Sequence, residues 1–136
     1  MSGPIFSRIV RNRRGNAVIE FAILAPVLFT MVLGALDFGR MFYVRQGLEY
    51  ATEQAARYYM MNTTAQQSAV TTYLKGLMVG GLGNSVSVAY TDTTNCNAQS
   101  SVTCTRIAAS YSFTFIVGFL GLGTKTLTAT AQTVRY

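Results

Sequence analysis

The sequence predicts an α+β chain: a long N-terminal helix, membrane-spanning in its first half and amphipathic in its second, packed on a small antiparallel sheet of about three strands. Three observations predict it. From Asn16 to Leu36 the chain runs NAVIEFAILAPVLFTMVLGAL, with a single charge inside the run. Apolar and small residues then recur three and four apart as far as Tyr58, which is the period of one helix face. After Gly81 the period changes to two, the alternation of strands covered on one side.

The chain has 136 residues, enough for one domain or for a small domain with an appendage, and too few for two full cores. Half of the residues are hydrophobic, 12% are charged and the mean hydropathy is +0.29. That balance excludes intrinsic disorder and indicates a membrane-associated chain. The net charge of +6 is concentrated: Arg8, Arg11, Arg13 and Arg14 all precede Asn16, after which seven basic side chains face five acidic ones. Basicity confined to one end supplies no basic face for nucleic acid, so none is expected as a partner. Histidine is absent, and Glu20, Asp37, Glu49, Glu53 and Asp92 are the only acids. With the usual proton carriers and metal ligands so scarce, no enzyme, cofactor or metal site is expected.

As a helix at about 1.5 Å per residue, residues 16–36 reach roughly 31 Å, close to the ~30 Å hydrocarbon core of a bilayer. Arginines crowd its N-terminal side and none occurs between Arg14 and Arg40. The distribution places the N-terminus in the cytoplasm and everything after Asp37 outside. Three readings compete for the segment. A cleaved secretory signal would use Val32-Leu33-Gly34 and leave a start near Ala35, but the apolar run exceeds the usual ~7–15 residues and holds a carboxylate. A plain single-span anchor explains the length and the charge bias, yet leaves Glu20 unexplained, although an ionisable group in a span costs about 2.5 kcal/mol or more.

The third reading explains the acid. Arg13-Arg14-Gly15-Asn16-Ala17-Val18-Ile19-Glu20-Phe21 resembles the class III signal of type IV prepilins: a basic leader, a glycine before the cut, a carboxylate at the fifth mature position and an aromatic beside it. The continuation through Glu20-Phe21-Ala22-Ile23-Leu24-Ala25-Pro26, Asp37-Phe38-Gly39-Arg40 and Ala55-Ala56-Arg57 is similar to the TadE-like pseudopilins of Tad (tight adherence, Flp-type) pilus systems. Phe21 stands where such pilins often carry Tyr, and Asp37 where they usually carry Glu. The resemblance implies a pilin-like α+β outline and a minor pilin or pseudopilin assembled into, or at the base of, a pilus used for surface attachment. It implies a prepilin peptidase cutting between Gly15 and Asn16, with Glu20 and Phe21 serving subunit registration. It also implies sibling pilins as partners, an inner-membrane assembly platform with its ATPase, and membrane lipid around the span. The chain then divides into a leader (1–15), a transmembrane assembly helix (16–36), its extracytoplasmic continuation (37–61) and a small α+β domain (62–136). The alternative is a signal-anchored extracytoplasmic binding module that does not polymerise.

The motif has a physical logic of its own. Cutting after Gly15 leaves a new α-ammonium on Asn16, and Glu20, four residues on, shares its helix face. A carboxylate answered by that amine, or by the amine of a neighbouring subunit, turns a desolvation cost into a signal for register. Gly15 suits an exposed, extended cleavage site because it has little bulk and poor helix propensity. Pro26 inside the span reads as a bend of the kind that membrane helices tolerate.

Beyond the membrane, Met41, Val44, Leu48, Ala51, Ala55 and Tyr58 form a packing stripe. Asp37 with Arg40, Arg45 with Glu49 and Glu53 with Arg57 are spaced to pair along the exposed side. One helix over about 16–61 follows, near 70 Å long at 1.5 Å per residue. Tyr50, Tyr58, Tyr59, Met60 and Met61 read as core against a small domain. Asn62-Thr63-Thr64 breaks the pattern, Thr64 with Gln67 suggests a capping box, and Ala69, Val70, Tyr73, Leu74, Leu77 and Met78 give a second helix its apolar face, stopped by Gly80-Gly81. Strands follow at Val86–Tyr90, Ile107–Phe115 and Leu127–Thr133. Gly81-Leu82-Gly83 and Gly118-Phe119-Leu120-Gly121-Leu122-Gly123 lack the lysine and the following helix of a phosphate loop. The stretch 116–122 reads instead as an apolar hairpin loop, folded back or exposed as a contact patch. Cys96 and Cys104, in the loop between the first two strands, form a disulfide by default outside the cytoplasm, stabilising by about 2.5 kcal/mol in the chain-entropy estimate.

Overall fold

The computed structural model describes residues 13–94, 96, 102–116, 121 and 123–135. The chain divides into two compact units, Met1–Asp37 and Phe38–Tyr136. Helix α1 (Arg13–Met61) lends its first part to one and the rest to the other. The second unit, the head, adds α2 (Gln67–Leu77), a 3₁₀ turn (Val79–Ser85) and strands β1 (Val86–Thr94), β2 (Thr103–Thr114) and β3 (Thr124–Arg135). The α+β class and the sheet are therefore as the sequence predicts: three antiparallel strands in the order β1-β2-β3.

The register explains which residues the head buries. Val88, Ala109 and Ala129 lie side by side across the three strands, as do Tyr90, Ile107 and Ala131, and Val86, Tyr111 and Leu127. Because strand side chains alternate between faces, these rows share one face. Against it α1 packs Val44, Leu48, Ala51, Ala55, Ala56 and Tyr59, and α2 packs Val70, Leu74 and Met78, in a single apolar cluster. Leu48, Val70, Leu74 and Ile107 are fully buried and Phe113 is nearly so, each worth roughly 1.5–3 kcal/mol relative to exposure. Met41 and Tyr58, also read as part of the helix stripe, are half-buried against the cluster. Thr52 joins the buried face because its hydroxyl donates to the Leu48 carbonyl at 2.7 Å, which removes the cost of a bare polar group.

Several expectations need correcting. Tyr50, Met60 and Met61 are exposed rather than core, because they lie off the face that Leu48, Ala55 and Tyr59 present at three- and four-residue intervals. Tyr58 instead stacks on Tyr73 of α2, with ring centroids 4.7 Å apart. Ala69 and Tyr73 are exposed, while Val70, Leu74 and Met78, spaced by four, form the inner row. The Thr64–Gln67 capping box does not form. The turn closed by Asn62 N–H on the Tyr58 carbonyl and Ala65 N–H on the Asn62 carbonyl delays α2, so Gln66 becomes the N-cap residue, without a side-chain cap. Its carbonyl accepts from the Ala69 and Val70 N–H groups.

Helix α2 ends at Leu77, where Met78 turns extended; Gly80 and Gly81, expected to stop it, lie further on inside the 3₁₀ turn, in left-handed conformation at φ 63° and 73°, where a Cβ would crowd the backbone. Gly83 serves close approach: a Cβ there would run into the carbonyl of Lys75. That packing accounts for the Gly81-Leu82-Gly83 segment without any phosphate. Cys104 belongs to β2, opposite Thr93, rather than to a loop, and its disulfide to Cys96, with Cα atoms 5.9 Å apart, ties the end of β1 to β2. Of the apolar hairpin stretch, residues 117–120 and 122 lie outside the described residues; Ile116 is 76% exposed.

Candidate functional site

The first unit carries the residues that the sequence singles out. Helix α1 runs unbroken through Gly15, Asn16, Glu20, Phe21 and Pro26. Gly15 is therefore helical here, not extended, and the helix starts at Arg13 rather than Asn16. The physical reason is cooperativity: extending a long helix by a turn adds one hydrogen bond per residue fixed, which outweighs the ~1 kcal/mol helix penalty of a single glycine. The side chains of residues 13–16 lie outside the described set.

From Ala17 to Leu36 nearly every side chain faces outward. Val18, Phe21, Ile23 and Met31 are all about two-thirds exposed, and Leu24, Val27, Leu28 and Phe29 are little less so. A helix apolar all round has no polar face to give to water, and so large an apolar area is rare on a monomeric soluble protein. The helix Ala17–Met61 is long and apolar enough to cross a membrane, with a mean hydropathy of 2.2 in its most apolar window, 6% of which is buried. Within this stretch Glu20 is exposed, and it lies one turn, roughly 6 Å of axial rise, beyond Asn16. Phe21 follows at about 100° around the axis. Pro26 has no N–H to offer the Ala22 carbonyl, and the Thr30 hydroxyl donates to the Pro26 carbonyl at 2.7 Å.

In the head, Arg45 pairs with Glu49 at 3.0 Å as the spacing predicts. Glu53 and Arg57 line a shallow groove of about 360 Å³ beside Ala131, Gln132 and Thr133. Arg40 does something that sequence spacing did not suggest: its guanidinium donates to the Thr114 carbonyl at 3.2 Å and lies over the Phe113 ring. A cation four residues past the apolar run was the available hint, since Phe113 and Thr114 are more than seventy residues away. Tyr90 of β1 is a second cross-link, its hydroxyl 2.9 Å from Thr71 Oγ1 and 3.1 Å from the Gln67 carbonyl oxygen of α2. Burial pushes the Tyr90 hydroxyl above its ordinary 10.0; the Thr71 hydrogen bond opposes the shift and Tyr59 adds to it. Among the described residues no three of His, Cys, Asp and Glu gather as a metal site would require.

An exposed apolar helix with one carboxylate near its start, followed by a small disulfide-bonded α+β head, is an outline that fits a chain anchored by a single helix. Residues 15–57 match the family model described as TadE-like protein, and over that segment the chain is similar to that family. Neither a curated protein nor a solved structure matches the chain. Residues 58–136, with the whole sheet, lie beyond the matched segment.

Proposed function

We propose that this chain is a minor pilin that a prepilin peptidase trims between Gly15 and Asn16 and that assembles through residues 16–36 into, or at the base of, a Tad-type pilus for surface attachment. The observation that carries the proposal is the exposed helix from Ala17 to Leu36 with Glu20 as its one carboxylate. In lipid, that acid needs a positive partner. Removal of residues 1–15 provides one on Asn16, on the same helix face, either in the same subunit or in the next. Cutting at Gly15 requires the first turn of α1 to open, and glycine makes that turn the cheapest to unwind. The arginines before the cut hold the N-terminus in the cytoplasm and the head on the outer side of the inner membrane. Sibling pilins pack against the apolar helix, and an inner-membrane platform extracts the subunit. On this reading the chain divides into a leader at 1–15, an assembly helix at 16–36, a spine at 37–61 and a globular part at 62–136.

Intact mass of the protein recovered from membranes tests processing. Loss of residues 1–15 is expected, and Gly15→Arg should retain them. Glu20→Ala should be trimmed normally yet absent from sheared pili. Normal pili containing Glu20→Ala would remove its role in registration. An untrimmed native chain would leave a tethered extracytoplasmic binding module instead, and a start near Ala35 would mark a secretory signal.

A further inference from the structure

We infer that the end of the head built from Phe38, Arg40, Phe42, Phe115, Ile116 and Lys125 is a lipid-facing surface that rests in the headgroup layer of the bilayer. The inference builds on the proposed span at 16–36. Phe38 opens the head two residues after Leu36 closes the apolar run, about 3 Å of axial rise later. Whatever apolar medium receives Leu36 therefore lies within reach of Phe38. The Phe38 ring meets Phe115 edge-on, with centroids 5.7 Å apart, so the far end of β2 is held beside that same point. Phe115 N–H to the Gly123 carbonyl at 3.4 Å carries the strand pair on past the ladder.

This end of the head has the composition of a membrane interface. Ile116 is 76% exposed, Phe42 55% and Phe38 41%, an apolar display that water does not favour. The exposed cations Arg40 and Lys125 stand at the same end, Arg40 through its bond to Thr114 and Lys125 as the register partner of Phe113. The carboxylate of Asp92 lies at the opposite end of the sheet, opposite Thr105, which is roughly 27 Å from Phe113 along β2 at ~3.4 Å per residue. Asp37, the acid next to Phe38, is buried, so what this end shows outward is aromatic rings with flanking cations, which match the lipid headgroup level, where rings lie between phases and cations meet phosphate. Covalent continuity with the span makes lipid, rather than a protein partner, the occupant.

The chain contains no tryptophan, so single Trp reporters in the full-length protein test the inference in vesicles of phosphatidylcholine and phosphatidylglycerol. Ile116→Trp and Phe42→Trp, both at exposed positions, should show blue-shifted emission and lose most of it when the acyl chains are brominated close to the headgroup. Thr130→Trp, exposed on β3, should be unaffected, and Leu28→Trp should be quenched by deeply brominated chains. If Leu28→Trp is quenched while Ile116→Trp and Phe42→Trp behave like Thr130→Trp, the head does not touch lipid and the inference is overturned while the span stands. If Leu28→Trp also escapes quenching, the span and the inference fall together.

Discussion

The guanidinium carbon of Arg40 stands 4.8 Å from the centroid of the Phe113 ring, joining the first turn of the head to the end of its central strand. Phe113 in turn meets Phe115 edge-on at 5.2 Å, so a helix cation and two strand aromatics form one bracket. The ring face is electron-rich and attracts the cation, while the hydrogen bond to the Thr114 carbonyl fixes the guanidinium over it.

Replacing that cation while keeping its stem isolates its contribution. Arg40→Met should lower the stability of the head by about 1 kcal/mol. In thermal melting of the detergent-solubilised protein this is a fall of about 4–8 °C for a unit of this size. An unchanged melting temperature would reduce the Arg40–Phe113 contact to mere proximity.

The buried hydroxyl of Thr133 has no hydrogen-bond partner among the described residues. In the same row of the sheet, Thr105 donates its proton to Asp92 Oδ1 at 2.6 Å, so the two threonines differ in satisfaction although they are register partners. Thr133→Val keeps the shape and removes the bare polar atom, and it should stabilise by about 1 kcal/mol. Thr105→Val, which breaks a made bond, should act in the opposite direction. A lower melting temperature for Thr133→Val would mean that the hydroxyl is satisfied in solution.

Tyr90 gives the head an alkaline limit. Its pKa is raised in the folded state above 10.0, so folding favours the neutral phenol. The associated stability is fully present below pH 10.0 and declines as the pH rises through the raised value. Hydrogen-exchange protection of α2, which Tyr90 holds through Thr71 and Gln67, should fall in that range. Tyr90→Phe should be less stable at neutral pH, by about 1 kcal/mol for the lost hydrogen bonding, and should lack that part of the alkaline loss. A titration identical to that of the parent chain would clear Tyr90 of the role.

Gly83 tolerates no side chain, because the Cβ would meet the backbone carbonyl of Lys75, which cannot rotate away. Gly83→Ala should destabilise by about 1–3 kcal/mol, the scale of overpacking. Gly39→Ala, at a helical position whose Cβ would meet nothing within 4 Å, should instead stabilise by about 0.5–1 kcal/mol. Equal effects would show that glycine flexibility, not space, matters at Gly83.

The sequence alone determined the elements and their faces. Leu48, Ala51 and Ala55 on α1, Val70 and Leu74 on α2, and Ile107, Ala109, Leu127 and Ala129 on the strands follow from period, which is a local property written in consecutive residues. The apolar run with its lone Glu20, and the residues that make the segment similar to the TadE-like family, are equally local. Tertiary structure decided what depends on partners distant along the chain. Whether Tyr50 or Tyr59 is core depends on where the sheet lies, and whether Thr64 caps a helix depends on how the preceding turn closes. That Arg40 also reaches Phe113 depends on a strand seventy residues away. Such contacts combine with burial only once the chain has closed on itself, and no local pattern carries their geometry.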